Sequence, residues 1–233
     1  MSENLLKKYG QPIVYKVINP FIDLLVRWKV RPNTITTIGL LINTAATVVF
    51  ILGAERGARN DHSYIGWAGA VILFGGLFDM IDGRLARVGK MASNYGAFYD
   101  SVLDRYSEMI MFLGICWYLV AHDYFLSSLF AFIAMIGSIM VSYTRARAES
   151  LGATAAVGFM QRPERVILIG VSAVACGIFS AQFGSDIKIT KDWLPFPLFE
   201  TISVFTLPIF FMAILTNITA LRRLLHVKEE LEN

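Results

Sequence analysis

The sequence predicts an all-α integral membrane protein with six transmembrane helices, both termini cytoplasmic, preceded by an N-terminal amphipathic surface helix. Three observations predict it. Of the 233 residues, 55% are hydrophobic and only 17% charged, with a mean hydropathy of +0.56, whereas soluble domains average roughly 45–50% apolar and about 25% charged. Six stretches carry the roughly 20 mostly apolar residues that a bilayer core requires. The basic residues fall overwhelmingly on one side of those stretches. The apolar excess excludes a soluble globular enzyme and a disordered chain, and a formal net charge of +3 is too small for a nucleic-acid binder.

Ahead of the first span, Val14, Val17, Ile18, Phe21, Leu24, Leu25 and Trp28 recur at helical spacing, with Lys16, Asp23 and Arg27 on another face. Residues 1–32 therefore read as a juxtamembrane amphipathic segment, lying along the membrane surface or packed against the spans. Pro20 is expected to bend or split it. The spans follow at 34–54, 64–87, 94–120, 124–145, 164–183 and 198–221. Residues 33–222 form the six-helix bundle and 223–233 a cytoplasmic tail, the whole being one membrane domain. Charges scattered through the first 30 residues leave no cleavable signal peptide. With an even number of spans the termini share a side. Of the 21 Lys and Arg, only Arg56, Arg59, Lys188 and Lys191 lie on the other side, so the positive-inside rule puts both termini in the cytoplasm. Cys116 and Cys176 each sit alone in apolar runs and read as small buried core residues.

The acids inside the spans carry the chemistry. An ionisable group there costs roughly 2.5–3.5 kcal/mol on insertion scales and is a functional hypothesis by default. The second span holds Asp79 and Asp82; the third holds Asp100, Asp104 and Glu108. Residues three or four apart share a helix face, so each aspartate pair points one way. A short cytoplasmic connection makes the two helices antiparallel. At 1.5 Å per residue, Asp79 and Asp82 lie about 12 and about 8 Å from the Arg87 end, and Asp100 and Asp104 about 9 and about 15 Å from Asn94. The four carboxylates thus meet at similar depth and repel unless cations neutralise them. Hard oxygen ligands suit Mg²⁺, Mn²⁺ or Ca²⁺, which predicts a divalent metal site. Gly75, Gly76, Gly83, Ala86 and Gly96 flank the acids and allow close approach of backbone and ligand.

These residues follow the pattern D-x2-D-G-x2-A-R-x8-G-x3-D-x3-D, filled by Asp79, Asp82, Gly83, Ala86, Arg87, Gly96, Asp100 and Asp104, eight fixed residues over 26 positions. The pattern resembles the signature of the CDP-alcohol phosphotransferases, integral membrane enzymes of phospholipid synthesis, with no departure within it. The resemblance implies that an acceptor hydroxyl attacks the lipid-bearing phosphorus of a CDP-lipid and CMP leaves. It implies metal coordination by Asp79, Asp82 and Asp100, with Asp104 as candidate general base and further ligand, and Mg²⁺ or Mn²⁺ as the cofactor, two ions in number. Gly83, Ala86 and Arg87, with Gly75 and Gly96, fall at or beside positions around the CDP-lipid, Arg87 being suited to its phosphates. The resemblance also implies a homodimer.

The acceptor is read from arginines. The fourth span ends in Ser142-Tyr143-Thr144-Arg145-Ala146-Arg147, and the fifth begins after Gln161-Arg162-Pro163-Glu164-Arg165. Arginine forks grip phosphate bidentately, so arginines at both ends of one cytoplasmic loop predict an acceptor that is itself a phosphate ester. The family resemblance implies that Arg145 with Arg162 or Arg165 holds that phosphate, with Arg222 and Arg223 completing the pocket. Both stretches, and Tyr99 to Tyr106, resemble the inositol-phosphate-using branch of the family. Glycerol 3-phosphate is the alternative acceptor, with serine or a neutral aminoalcohol third. An ion- or proton-coupled transporter is the alternative of another class, although the acids cluster near one face and no related halves are visible.

Overall fold

The computed structural model describes residues 11–155, 158–190, 197 and 199–232. Lys7, Lys8, Lys191 and Leu198 lie outside them, as do the side chains of Val14, Lys16 and Val17. Among the described residues seven helices form: α1 (Gln11–Arg27), α2 (Pro32–Arg56), α3 (Ser63–Val88), α4 (Asn94–Ala121), α5 (Phe125–Ser150), α6 (Arg162–Phe183) and α7 (Ser203–Glu232). A two-residue antiparallel pair, β1 (Lys188–Ile189) with β2 (Phe199–Glu200), joins the last two helices.

Local chemistry sets several of these boundaries. Pro32 opens α2, where its missing N–H costs nothing and its fixed φ is already helical. Ser93 caps α4, its Oγ accepting from the Gly96 N–H at 3.0 Å. Before α6, the Gln161 N–H donates to the Glu164 carboxylate at 3.0 Å, which anchors the first turn carrying Arg162. Gly152, at φ 81°, follows the end of α5 in the left-handed region that glycine enters freely.

Five helices, α2, α3, α5, α6 and α7, are long and apolar enough to cross a bilayer. At 28 residues α4 matches them in length, but Asp100, Asp104, Arg105 and Glu108 crowd its first half. Large apolar side chains such as Trp67, Phe74, Leu113, Phe132, Val171 and Phe211 face outward. An apolar exterior of that extent belongs in lipid rather than water, so the chain is a multi-pass membrane protein.

The packing order explains where a cleft opens. α2 lies against both α3 and α4, α3 against α6, and α5 against α7, with smaller contacts of α4 with α5 and α6 with α7. α3 and α4, although consecutive, are not among the packed pairs. The space between their aspartate-bearing ends is therefore open. α3 and α6 approach closely because both present small residues: a Cβ on Gly177 would stand 2.7 Å from the Gly66 Cα, and one on Gly69 2.6 Å from the Ala173 Cβ. Away from the cleft, Phe50, Ile72, Phe112, Tyr118 and Phe205 fill the core. At the far end the His122 ring meets the Gly53 carbonyl at 3.2 Å, and Tyr118 donates to the Asp61 carbonyl at 3.1 Å. Cys176 is buried and Cys116 half-buried, both as free thiols.

Three details correct the sequence reading. Of the bend or split expected at Pro20, the split is absent: α1 runs unbroken from Gln11 to Arg27. Ile22 and Leu25 of α1 are buried against Ile81 and Leu85 of α3, while Phe21, Leu24 and Trp28 stay exposed, so the helix uses both apolar surfaces at once. The last helix starts at Ser203, not at 198, and continues through Glu232; the segment taken as a tail is helical, and Thr154 donates its N–H and hydroxyl to the Glu230 carboxylate there.

Candidate active site

Asp79 and Asp82 project from the last three turns of α3, and Asp100 and Asp104 from the first three of α4. Across the cleft they meet a cation of the chain itself. Arg162 Nη1 stands 2.6 Å from Asp79 Oδ2 and 2.9 Å from Asp104 Oδ1. Asp82 is buried, and its Oδ2 has no hydrogen-bond partner among the described residues. A buried carboxylate oxygen without a donor is costly unless a ligand completes it.

Three cavities converge on these groups. The first, about 240 Å³, is lined by Asn33 and Thr36 at the start of α2, by Gly83, Ala86 and Arg87 of α3, and by Gly96 of α4, with Asp82 and Asp100 in its wall. A Cβ on Gly83 would meet nothing closer than Arg87 Nη2 at 3.8 Å, so this glycine opens onto free space. The second, about 760 Å³, is walled by Leu73, Phe74, Leu77, Val166 and Ile167, and shares Gly83, Arg87 and Asp100 with the first. The third, about 290 Å³, is lined by Arg105, Arg145, Arg162, Arg165 and Arg223, and shares Asp104 and Arg162 with the second. A polar glycine-edged pocket, a long apolar pocket and an arginine pocket thus adjoin at the aspartates.

That arrangement suits a substrate with a phosphorylated head, an apolar tail and a separate anionic partner. The family model for CDP-alcohol phosphatidyltransferase matches residues 29–195. The chain belongs to the CDP-alcohol phosphatidyltransferase family. Among its relatives is a phosphatidylinositol phosphate synthase of Mycobacteroides abscessus, 34% identical over 170 residues, which are 72% of this chain and 73% of the relative. Another is an archaetidylinositol phosphate synthase of Pyrococcus horikoshii, also 34% identical over 170 residues, covering 72% and 80%. The crystal structure of the Mycobacterium tuberculosis phosphatidylinositol phosphate synthase with CDP-DAG bound superposes with a TM-score of 0.71 at 25% identity, covering 91% of this chain and 94% of that one. The same enzyme in complex with manganese and citrate gives 0.69 at 25% identity, covering 89% and 87%. The chain is accordingly a phospholipid-synthesis transferase, and the transporter alternative is set aside.

Within this CDP-alcohol phosphatidyltransferase the signature residues fall together, Gly83, Ala86, Arg87 and Gly96 around the first cavity and the four aspartates at the junction. Among the described residues no three acidic, histidine or cysteine side chains already stand as one coordination sphere. The donor set nonetheless fits a divalent ion: hard carboxylate oxygens, one of them buried without a partner, and a pair already bridged by a cationic group.

Gly75 does not reach the cavities. It is buried against α2, where an added Cβ would lie 3.0 Å from Asn43 Oδ1; its neighbour Gly76 lines the apolar cavity instead. The arginines divide in ways that spacing did not predict. Arg162 is engaged by Asp79 and Asp104. Arg165 is fully buried, gripping Glu108 through Nε at 2.7 Å and Nη2 at 2.9 Å and donating to the Met160 carbonyl at 2.6 Å. Its fork is filled by the protein, which makes it a wall of the cavity rather than an open phosphate hook. Arg223 is buried and donates to the Val141 carbonyl. Arg222, next along α7, is exposed and does not line the cavity. Arg145 lines it half-exposed, paired with Glu149 at 2.8 Å. Sequence reasoning gave no site role to Arg105, which donates to the Ser101 hydroxyl and the Ser142 carbonyl from the cavity wall; the four-residue spacing of Ser101 and Arg105 was its only signal. Asn33 and Thr36 carried none, since α2 reads as an ordinary span.

Proposed function

We propose that this enzyme transfers the phosphatidyl group of CDP-diacylglycerol to the hydroxyl of inositol phosphate, inositol 3-phosphate in the first instance, giving phosphatidylinositol phosphate and CMP. One observation carries the reading: the arginine cavity and the apolar cavity share Asp104 and Arg162, so an anionic acceptor and a lipid-bearing phosphorus have adjoining places. The relatives' names, and the CDP-DAG held by the superposed crystal structure, support both substrates.

In this reading Gly83, Ala86, Arg87 and Gly96 hold the CDP head, and the Leu73–Phe74–Val166 wall takes an acyl chain. Arg145 holds the acceptor phosphate, joined by Arg162 and backed by the cavity wall of Arg105, Arg165 and Arg223. Asp104, present in both cavity walls, lies where it can take the acceptor hydroxyl's proton. The freed oxygen attacks the lipid-bearing phosphorus, the bond from that phosphorus to the CMP oxygen breaks, and CMP departs with the electron pair. Asp79, Asp82, Asp100 and Asp104 would hold Mg²⁺ or Mn²⁺, two ions in number. Bound there, the metal neutralises the pyrophosphate, polarises its oxygens and stabilises the leaving CMP phosphate.

The membrane arrangement belongs to the same proposal. α2 to α7 are the six spans, α4 entering with its charged half lining the cleft, and the whole chain is one membrane domain. Arg84, Arg87, Arg145, Arg147 and Arg162 gather at the aspartate end and Arg56, Arg59 and Lys188 at the other. The positive-inside rule then places the termini, and the active-site mouth, on the cytoplasmic side of the cell membrane. α1, with Phe21, Leu24 and Trp28 exposed beside Arg27, lies at that surface. Outward apolar faces leave room for a homodimer. The test is an acceptor panel: CDP-diacylglycerol, Mg²⁺ and single alcohols are supplied and CMP is measured. Inositol 3-phosphate is expected to release it fastest; faster release with glycerol 3-phosphate overturns the acceptor assignment.

A further inference from the structure

Arg162 and Arg165 are one turn apart on α6 and look equivalent in sequence, yet their surroundings differ. Arg165 has every nitrogen engaged, by Glu108, Met160 and Ser142. Arg162 is held chiefly through Nη1, while its buried Nε has no hydrogen-bond partner among the described residues. Its backbone is pinned by the Gln161–Glu164 bond at the start of α6, so any change of partner is made by the side chain alone. It also borders two cavities, the apolar one and the arginine one.

The position of Nη1 matters because of the oxygens it touches. A divalent ion held by Asp79 and Asp104 would need the same space, since small cations sit about 2.1 Å from carboxylate oxygens. Guanidinium and ion cannot occupy it together. An Arg162 released from the aspartates moves among Arg105, Arg145, Arg165 and Arg223, whose charge Glu108 and Glu149 offset only in part, so like charges oppose it until a further anion arrives. A phosphate in the arginine cavity removes that opposition and offers Arg162 a bidentate partner.

Resting on the metal and acceptor sites proposed above, we infer that Arg162 is a placeholder cation. It exchanges between the Asp79–Asp104 pair and an acceptor phosphate, so metal loading and acceptor binding favour each other. Arg162 is a positioning residue in this sense: it makes the metal site complete mainly when the acceptor has arrived, which guards the CDP-lipid against loss to water. By linkage the coupling is reciprocal and of the usual size, about tenfold.

The test is Mn²⁺ binding to the full chain in detergent, followed by the electron paramagnetic resonance signal of free Mn²⁺, without CDP-lipid and with or without inositol 3-phosphate. The wild type is expected to bind Mn²⁺ about tenfold more tightly when inositol 3-phosphate is present. R162Q, with R162M as a second variant should the first misfold, is expected to bind Mn²⁺ about tenfold more tightly than wild type in its absence, with the effect of inositol 3-phosphate lost. A merely structural arginine would weaken Mn²⁺ binding on removal, not tighten it. R147Q takes an equal charge from the exposed last turn of α5, outside the arginine cavity and clear of the aspartates, and leaves acceptor-free Mn²⁺ affinity within about twofold if exchange rather than bulk charge operates. Unchanged or weaker binding in the Arg162 variants, retained coupling in them, or equal tightening by R147Q overturns the placeholder role while leaving the metal site standing. A wild type that takes up no Mn²⁺ overturns the metal site itself, and this inference with it.

Discussion

Arg165 grips Glu108 through two parallel bonds, Nε to Oε1 at 2.7 Å and Nη2 to Oε2 at 2.9 Å, with neither side chain open to solvent. The pair joins α6 to α4, two helices that otherwise pack little against each other. It holds Arg162, one turn away, at the right depth to face Asp104.

Breaking that pair leaves a buried charge without a partner, which costs about 3–5 kcal/mol. Arg165→Met is therefore expected to lower the thermal unfolding midpoint in detergent sharply. The double change Arg165→Met with Glu108→Leu, which removes both charges, should regain most of the loss. A single variant as stable as wild type would show that the pair is not structural.

Two glycines separate packing from catalysis. At Gly69 an added Cβ meets Ala173 Cβ at 2.6 Å and the Gly170 carbonyl at 2.8 Å, so Gly69→Ala wedges α3 from α6 at about 1–3 kcal/mol. At Gly83 an added Cβ meets nothing beyond its own helix backbone nearer than Arg87 Nη2 at 3.8 Å. Gly83→Ala should keep the unfolding midpoint, or raise it slightly through helix propensity, while the CDP-diacylglycerol KM rises. Midpoints and KM values measured on both variants check the assignment; an unaltered KM in Gly83→Ala argues against a nucleotide-lipid cavity there.

Arg145 and Glu149 form a half-exposed i, i+4 pair, worth about 0.3–0.5 kcal/mol, so Arg145→Ala should leave the fold alone. Loss of a charged hydrogen bond to the acceptor phosphate, about 1.5–3 kcal/mol, should raise the acceptor KM tenfold or more, with the CDP-diacylglycerol KM spared. Steady-state kinetics on each substrate decides; an unmoved acceptor KM removes Arg145 from the phosphate pocket.

At the far end, His62 sits buried before α3, its Nδ1 2.9 Å from the Asn60 carbonyl. Burial pushes its pKa below the ordinary 6.5, with the Asn60 carbonyl and then Asp61 pulling the other way. The folded state therefore binds fewer protons than the unfolded one just below pH 6.5, and stability there rises with pH. Unfolding midpoints should fall as pH drops from 7 through 6.5 and below, and His62→Gln should flatten that slope. An equal slope in both proteins would place the pH dependence elsewhere.

That the aspartates gather was legible in the sequence because acids spaced three and four apart within apolar helices are too costly to sit there unpartnered, and Arg162 meets two of them. Helix boundaries were legible to within a few residues because apolar runs of bilayer length end at charges and turns, as α2, α3, α4 and α6 show. What the sequence hid was rotational phase and partner choice. Gly75 and Gly76 are about 100° apart around α3, and nothing local says which one faces α2. Arg162 and Arg165 share a face, so only the placement of α3 and α4 decides that one meets Asp79 and Asp104 and the other Glu108. The start of α7 was placed early because Phe199 and Ile202 carry the apolar pattern upstream of Ser203, where the helix begins.

Carboxylates on α3 and α4 are held to gather divalent ions that make the CDP-lipid bond breakable. CMP release from CDP-diacylglycerol and inositol 3-phosphate, measured on chelator-stripped enzyme and again on adding Mg²⁺ or Mn²⁺, tests this most directly. No release without metal, recovery on its return, and none from a folded Asp79→Asn variant under either condition are the results expected. Full turnover in the presence of EDTA would contradict the metal-dependent mechanism.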